Sequence, residues 1–358
     1  MDDARRTRSA LIRPVRPARP VRPALFGLVV LSLNALLLLA PAGASTHRGT
    51  SPGDVAWVAT EASVTEPGSA LTPVDLASHA AESKVHVGSL PAAASLRSAM
   101  AFTKDAAALL VVTRGDDMLN EIDPTTHHVV RKVTVGLEPD AVAVAPGGTG
   151  DKGLALVANL GDDSVTPVDL GTWRAGKPIP VGTEPVAIAV AVGTAFVADF
   201  GSNTVTPIDL ATMQAGAPIA VGQGPETVAV AEAGGEVLVG NFGNDTLTPI
   251  TTGTLKAGPA VVLPLDPTDI VVTTAGAMAY IAGGASVVPL TVDGLAVGTP
   301  VALRGVAQAI ALAPGDGTAW VALQAGSLVP VFLTSGTVGR AIHLGGHPSA
   351  IAIATGAA

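Results

Sequence analysis

A unit of roughly 40 to 48 residues recurs along the chain, each copy carries four short apolar runs, and one further unit is divided between the two ends of the chain. Together these features predict an all-β, seven-bladed β-propeller of four-stranded antiparallel blades, with the closing blade shared by the N- and C-terminal segments.

The most regular copy spans 181–220, VGTEPVAIAVAVGTAFVADFGSNTVTPIDLATMQAGAPIA. Its neighbours at 135–180 and 221–264 match it closely, and weaker copies fill 87–134, 265–303 and 304–344. From Gly345 the chain holds only a first strand, GGHPSAIAIA, while Val55 to His79 holds only later ones, VAWVATEAS and ALTPVDLASH. Segment 345–358 plus 54–86 therefore makes the seventh blade, and joining them leaves no open sheet edge in the ring.

Within a unit, Val186 to Ala191 alternates large and small apolar residues, which suits a strand covered on both faces by neighbouring blades. Gly201-Ser202-Asn203 and Gly243-Asn244-Asp245 carry tight-turn chemistry, and a Thr-Val-Thr-Pro-Ile-Asp run follows as the third strand. Pro167, Pro207 and Pro249 cannot donate to a ladder, so each is expected at a bulge or with its nitrogen turned from a partner. The Ala-rich stretch 91–110 has helix propensity, but the repeat places strands there around an insertion.

The first 44 residues are read as an export signal: seven Arg from Arg5 to Arg22, an uncharged apolar run from Leu25 to Ala40, then Ala42-Gly43-Ala44 before a cleavage point ahead of Ser45. Sixteen apolar residues fall short of the ~20 that span a bilayer comfortably, which argues against an uncleaved anchor. Residues 45–53 read as a flexible lead into a single propeller domain at 54–358. The expected location is outside the cytoplasm, secreted or associated with the envelope.

Without the signal the chain keeps 13 basic and 27 acidic residues, a net charge near −14. That charge, with few aromatics to stack bases, excludes nucleic acid as a partner. The absence of cysteine excludes disulfides, thiolate catalysis and iron–sulfur clusters. No later apolar run reaches membrane length, and a monomer is expected.

The copies AFVADFGSNTVTPIDLAT, ALVANLGDDSVTPVDLGT and VLVGNFGNDTLTPITTGT resemble the YVTN-type (YncE-like) β-propeller repeat of bacterial surface and periplasmic proteins. The resemblance covers nearly all of the chain after the signal. It departs by Ala or Gly for the family's Thr and by Pro-Ile-Asp for Val-Ile-Asp. It implies architecture and no particular activity, since such folds carry binding modules and enzymes alike.

Antiparallel order places two loop types on one face: the turn after the second strand and the crossover into the next blade. The candidate ring on that face is Glu138, Asn159, Glu184, Asp199, Asn241 and Asp266, with His347 and Arg114 beside it. Six oxygen donors would suit Ca²⁺ or Mg²⁺, whereas Asn and Asp at strand ends also commonly bond their own turn backbone. His127-His128 falls on the opposite face, and His79, His86 and His47 read as solvated. No nucleophile elbow, phosphate loop or zinc motif is present after the signal. The sequence therefore favours a non-catalytic extracytoplasmic scaffold that binds a protein or small molecule and needs no cofactor. Two alternatives stand beside it: a metal-dependent, lactonase-like hydrolase or lyase with His347 as base, and a structural protein of the cell surface.

Overall fold

A computed structural model describes residues 54–61, 70–87, 99–149 and 152–354. The segment 1–44 read as an export signal, the expected lead at 45–53 and the expected insertion within 91–98 lie outside the described residues. Where the Ala-rich stretch is described it is strand, at Met100–Phe102 and from Leu109 onward.

Seven antiparallel sheets follow one another, each ordered from an innermost to an outermost strand. We number the blades from the closing one. Blade 1 combines Val55–Glu61 and Ala70–Asp75 with His347–Ala354 as its innermost strand. Blades 2 to 7 begin at Met100, Pro139, Pro185, Pro225, Asp269 and Ala307. Val55 pairs with Ala354 and Glu61 with His347, with a bulge at Ala59/Thr60, so the ring closes by main-chain hydrogen bonding between the two ends. No helix among the described residues is long and apolar enough to cross a membrane.

The apolar runs are strands because both faces of each sheet are covered. Six buried clusters join neighbouring blades into a circuit: blades 1, 2 and 3 meet around Trp57, Leu110 and Val157, and blades 7 and 1 around Trp320 and Val58. Between them, Leu156 and Ile188 join blades 3 and 4, while Phe196 and Val228 join blades 4 and 5. Leu238 with Ile281 and Ala282 with Ile310 complete the ring. At about 25 cal/mol per Å² of apolar surface, these face-to-face contacts are the main stabilising contribution.

The prolines explain a feature that the repeats alone do not suggest. In six blades the outer strand is broken into two short pieces, as at Gln214–Ala215 and Ile219–Ala220, and both pieces pair with the third strand. A strand residue turns its N–H and C=O to the same side. The Pro207 carbonyl accepts from Gly216 N at 2.7 Å, so its missing donor also faces the outer strand. Pro73, Pro167, Pro249, Pro289 and Pro330 accept in the same way at 2.7–2.8 Å. Blade 2 has Glu121 there instead, and its outer strand runs unbroken over His128–Thr134, with Arg131 Nε donating to Glu121 at 2.6 Å.

The turns between third and outer strands are wedges. His79, His127, Trp173, Met213, Leu255 and Leu295 all take positive φ there, between 50° and 59°. A left-handed non-glycine residue costs roughly 1 kcal/mol or more. Packing supplies the reason for a side chain at this point: His79 meets Trp320 edge-on at 5.3 Å, His127 meets Trp57 at 5.1 Å, and the Arg131 guanidinium covers the Trp173 ring at 4.4 Å. His79 stays exposed, as the sequence suggests, and in addition its ring and that of His127 each cover a buried indole of the preceding blade.

The Pro–Gly pairing generates a prediction. A Cβ on Gly298 would lie 2.8 Å from Pro289 Cγ, so Gly298→Ala should lower unfolding free energy by about 1–3 kcal/mol. The loss should largely vanish when Pro289 is also changed to Thr. A urea double-mutant cycle checks this, and additive effects would contradict it.

Candidate functional site

The innermost strand of each blade starts, and the second strand ends, on one face of the disc. Each second strand is followed by one residue at its tip, giving Arg114, Leu160, Phe200, Phe242, Gly284 and Gln324 in blades 2 to 7. The crossover fixes this residue's backbone: Leu160 N donates to Glu138 O, Phe200 N to Glu184 O, Phe242 N to Gly224 O and Gln324 N to Val306 O, all at 2.9–3.0 Å. Below lies a second ring from the start of the innermost strands, where Val186, Glu226, Thr268 and Gln308 follow the crossover. Both rings, with Glu184, Asp266 and Val306, line one cavity of about 700 Å³. A second cavity of about 570 Å³ on the other face is lined by turns of blades 5 and 6 only.

Local sequence places these side chains. Gly224 takes φ 57°, and a Cβ there would stand 3.0 Å from Phe200 Cε2, so the missing side chain leaves room for the Phe200 ring. Glu184 adopts the same left-handed conformation at φ 53°, with its N–H donating to Asp163 Oδ1 at 2.9 Å. Glu138 repeats this with Asp117 at 2.8 Å, and Gly224 with Asn203 at 2.8 Å. The left-handed Asx residue of one blade's turn thus ties down the crossover of the next. Arg114 is the one cation among the described lining residues; it donates through Nε to Glu138 at 3.0 Å, contacts it again through a second guanidinium nitrogen, and stands 3.7 Å from the fully buried Asp140.

The sequence-predicted ring divides. Glu184, Asp266 and Arg114 line the cavity, and Glu138 reaches it through Arg114. His347 is exposed and bonds through Nδ1 to the Gln324 carbonyl at 3.1 Å. Asn159, Asp199 and Asn241 point elsewhere and are fully buried. Asn159 Nδ2 donates to Ser164 and Thr166 hydroxyls at 3.0 and 2.9 Å, and Asn241 Nδ2 to Thr246 and Thr248 at the same distances. Asp199 inverts the polarity, accepting from Thr204 and Thr206 at 3.1 and 2.6 Å. These three knit their own turns. Among the described residues, no three His, Asp or Glu side chains gather as they would to hold a metal ion.

The offset is one residue. Alternation along a strand sends neighbouring side chains to opposite sides, so aligning on Asn159 selects the turn interior, whereas Leu160 faces the cavity. Glu226 and Gln308 were missed as well. The signal was available: with Asp140 they are the strongly polar residues that follow the crossover inside otherwise apolar innermost strands.

Burial pushes the Asp199 carboxyl up to about 6 from 3.8, against the opposing hydroxyl hydrogen bonds from Thr206 and Thr204. Burial, followed by the neighbouring Asp266, also raises Asp245 above the usual carboxylate range.

No protein-family model matches the chain, and no curated protein matches it. Solved structures do. A functionally unknown protein from Desulfotomaculum acetoxidans superposes with a TM-score of 0.71 at 16% identity, covering 83% of this chain and 98% of its own. A protein from Lactobacillus plantarum gives 0.68 at 15% identity, covering 84% and 99%. Hydrazine synthase of Kuenenia stuttgartiensis gives 0.64 at 18% identity, covering 73% and 90%. At such identities the likeness establishes the propeller fold alone.

Asp199 yields a pH prediction. Its folded value lies above its unfolded one, so folding favours the protonated acid: the contribution of Asp199 to stability is greatest below pH about 4, falls through the window from 3.8 to about 6, and is flat above. Asp199→Asn, which restores the residue of blades 3 and 5, should raise stability at pH 7 by about 1–3 kcal/mol and have little effect near pH 3.5. Urea unfolding across that range tests this, and a pH-independent difference would contradict it.

Proposed function

We propose that this chain is an extracytoplasmic binding module of the YVTN-type propeller kind, holding a small molecule at the axial cavity and performing no chemistry on it. The observation that carries the reading is the cavity itself, in which one tip residue from each of blades 2 to 7, Arg114, Leu160, Phe200, Phe242, Gly284 and Gln324, meets the others. Six copies of one unit thereby assemble an asymmetric surface of charged, apolar, aromatic and neutral polar groups at a single concave site. The cavity also has the mixed apolar and polar lining, and a size within the ~300–1,000 Å³ range, of small-molecule sites. Placement outside the cytoplasm is supported by the charge and apolar layout of residues 1–44.

The test is to screen fractionated small-molecule extract of cell envelope and medium against the protein lacking residues 1–44, by thermal shift and native mass spectrometry. At least one fraction should raise the melting temperature, with a ligand at about a hundred times its Kd contributing about 2.7 kcal/mol. Phe200→Ala/Phe242→Ala should abolish that shift while leaving the unliganded melting temperature within a few degrees. Retention of no molecule from any fraction, or binding unaffected by the double variant, would refute the proposal.

A further inference from the structure

We infer that the ligand of the axial cavity is an organic cation with an apolar body, an inference that rests on the binding reading above and specifies its ligand class. Two independent features point to it. The first is charge. Glu184 and Asp266 line the cavity with exposed carboxyl groups, and Arg114 is the one cation among its described lining residues. Arg114 already faces Glu138 and Asp140, so its charge is met by those two acids and leaves Glu184 and Asp266 to set the potential of the cavity. Turns and crossovers of the same face add the acids Asp162 and Asp163 and one base, Arg304. A concave site walled by low-dielectric protein concentrates such a field.

The second feature is the apolar side of the cavity. Phe200 and Phe242, from adjacent blades, line it with Leu160, Val186 and Val306. A monovalent metal ion or a fully hydrated amine gains nothing from that surface. An alkylated or aryl-bearing ammonium gains from both halves, since its body is buried against the rings and its charge is met by carboxylates and by the negative faces of the aromatics. Gln324 supplies a neutral polar group that a substituent on such a ligand can meet. The same arrangement disfavours anions, because the lining guanidinium is held by two carboxylates.

The test uses the protein lacking residues 1–44 and three probes of similar size: the permanent cation N-benzyl-N-methylpiperidinium, the neutral amide N-benzoylpiperidine and the anion phenylbutyrate. Isothermal titration should show binding of the cation, about tenfold or more tighter than of the neutral amide, with no binding of the anion. Affinity for the cation should weaken with salt, fall about tenfold in Glu184→Gln/Asp266→Asn, and fall again in Phe200→Ala. Glu184 and Asp266 are exposed, so their neutral counterparts should fold, which the urea midpoints of both variants check. Equal binding of cation and amide, or affinity unchanged in the carboxylate variant, would overturn the cation assignment while leaving the binding module intact. Failure of all three probes and of every extract fraction would overturn both.

Discussion

The architecture depends on one pairing, that of the strand Val55–Glu61 with the strand His347–Ala354. A blade has no interior of its own. Each sheet is only one residue thick, and its apolar side chains are buried only where another blade covers them. An open array would leave two blades with one bare face each: on blade 7 the face that carries Trp320, and on blade 1 the face that carries Val58. Sharing one sheet between chain ends converts the array into a ring in which these two faces cover each other. Ser349 Oγ, donating to Ala59 O at 3.2 Å, and the bulge beside it fix the register of that closure.

Closure also creates the site. Once the blades stand around an axis, the ends of their innermost strands converge, and the same two repeat positions meet from different blades. Scaffold and site are therefore interleaved at single-residue resolution. Asn159 holds a turn and Leu160 lines the cavity; Pro225 begins a strand and Glu226 lines it. The turn Asx residues couple the two levels, because Asp163 and Asn203 in one blade hold the backbone of Glu184 and Gly224 in the next. The ring can thus tolerate varied lining residues, since its hydrogen bonding at the mouth is made by backbone and by turn side chains.

Much of the fold was legible in the sequence, because packing constraints repeat. The divided unit at Val55 and Gly345, the strands around Val186 and the turns at Asn203 and Asp245 all follow from composition at fixed spacing. The break in the outer strand was half legible: Pro207 announces a missing donor, but which neighbour faces it depends on the pleat, which a proline alone does not reveal. The wedge side chains were not legible, since His79 and His127 look like ordinary turn residues until the neighbouring blade brings Trp320 and Trp57 under them. The site was misread by one residue for the same reason, as orientation is a property of the strand and not of the residue type. Asp266 and Arg114 were found because they are unrepeated, which is the signal that Glu226 and Gln308 also carried.

The central claim is that the shared blade holds the ring together, and the most direct measurement compares equilibrium unfolding of the chain ending at Leu344 with that of the chain retaining His347–Ala354. The account predicts loss of the single cooperative transition, a markedly lower midpoint and exposure of the Trp320 fluorescence to quencher. An unchanged midpoint and slope, with Trp320 still protected, would contradict it.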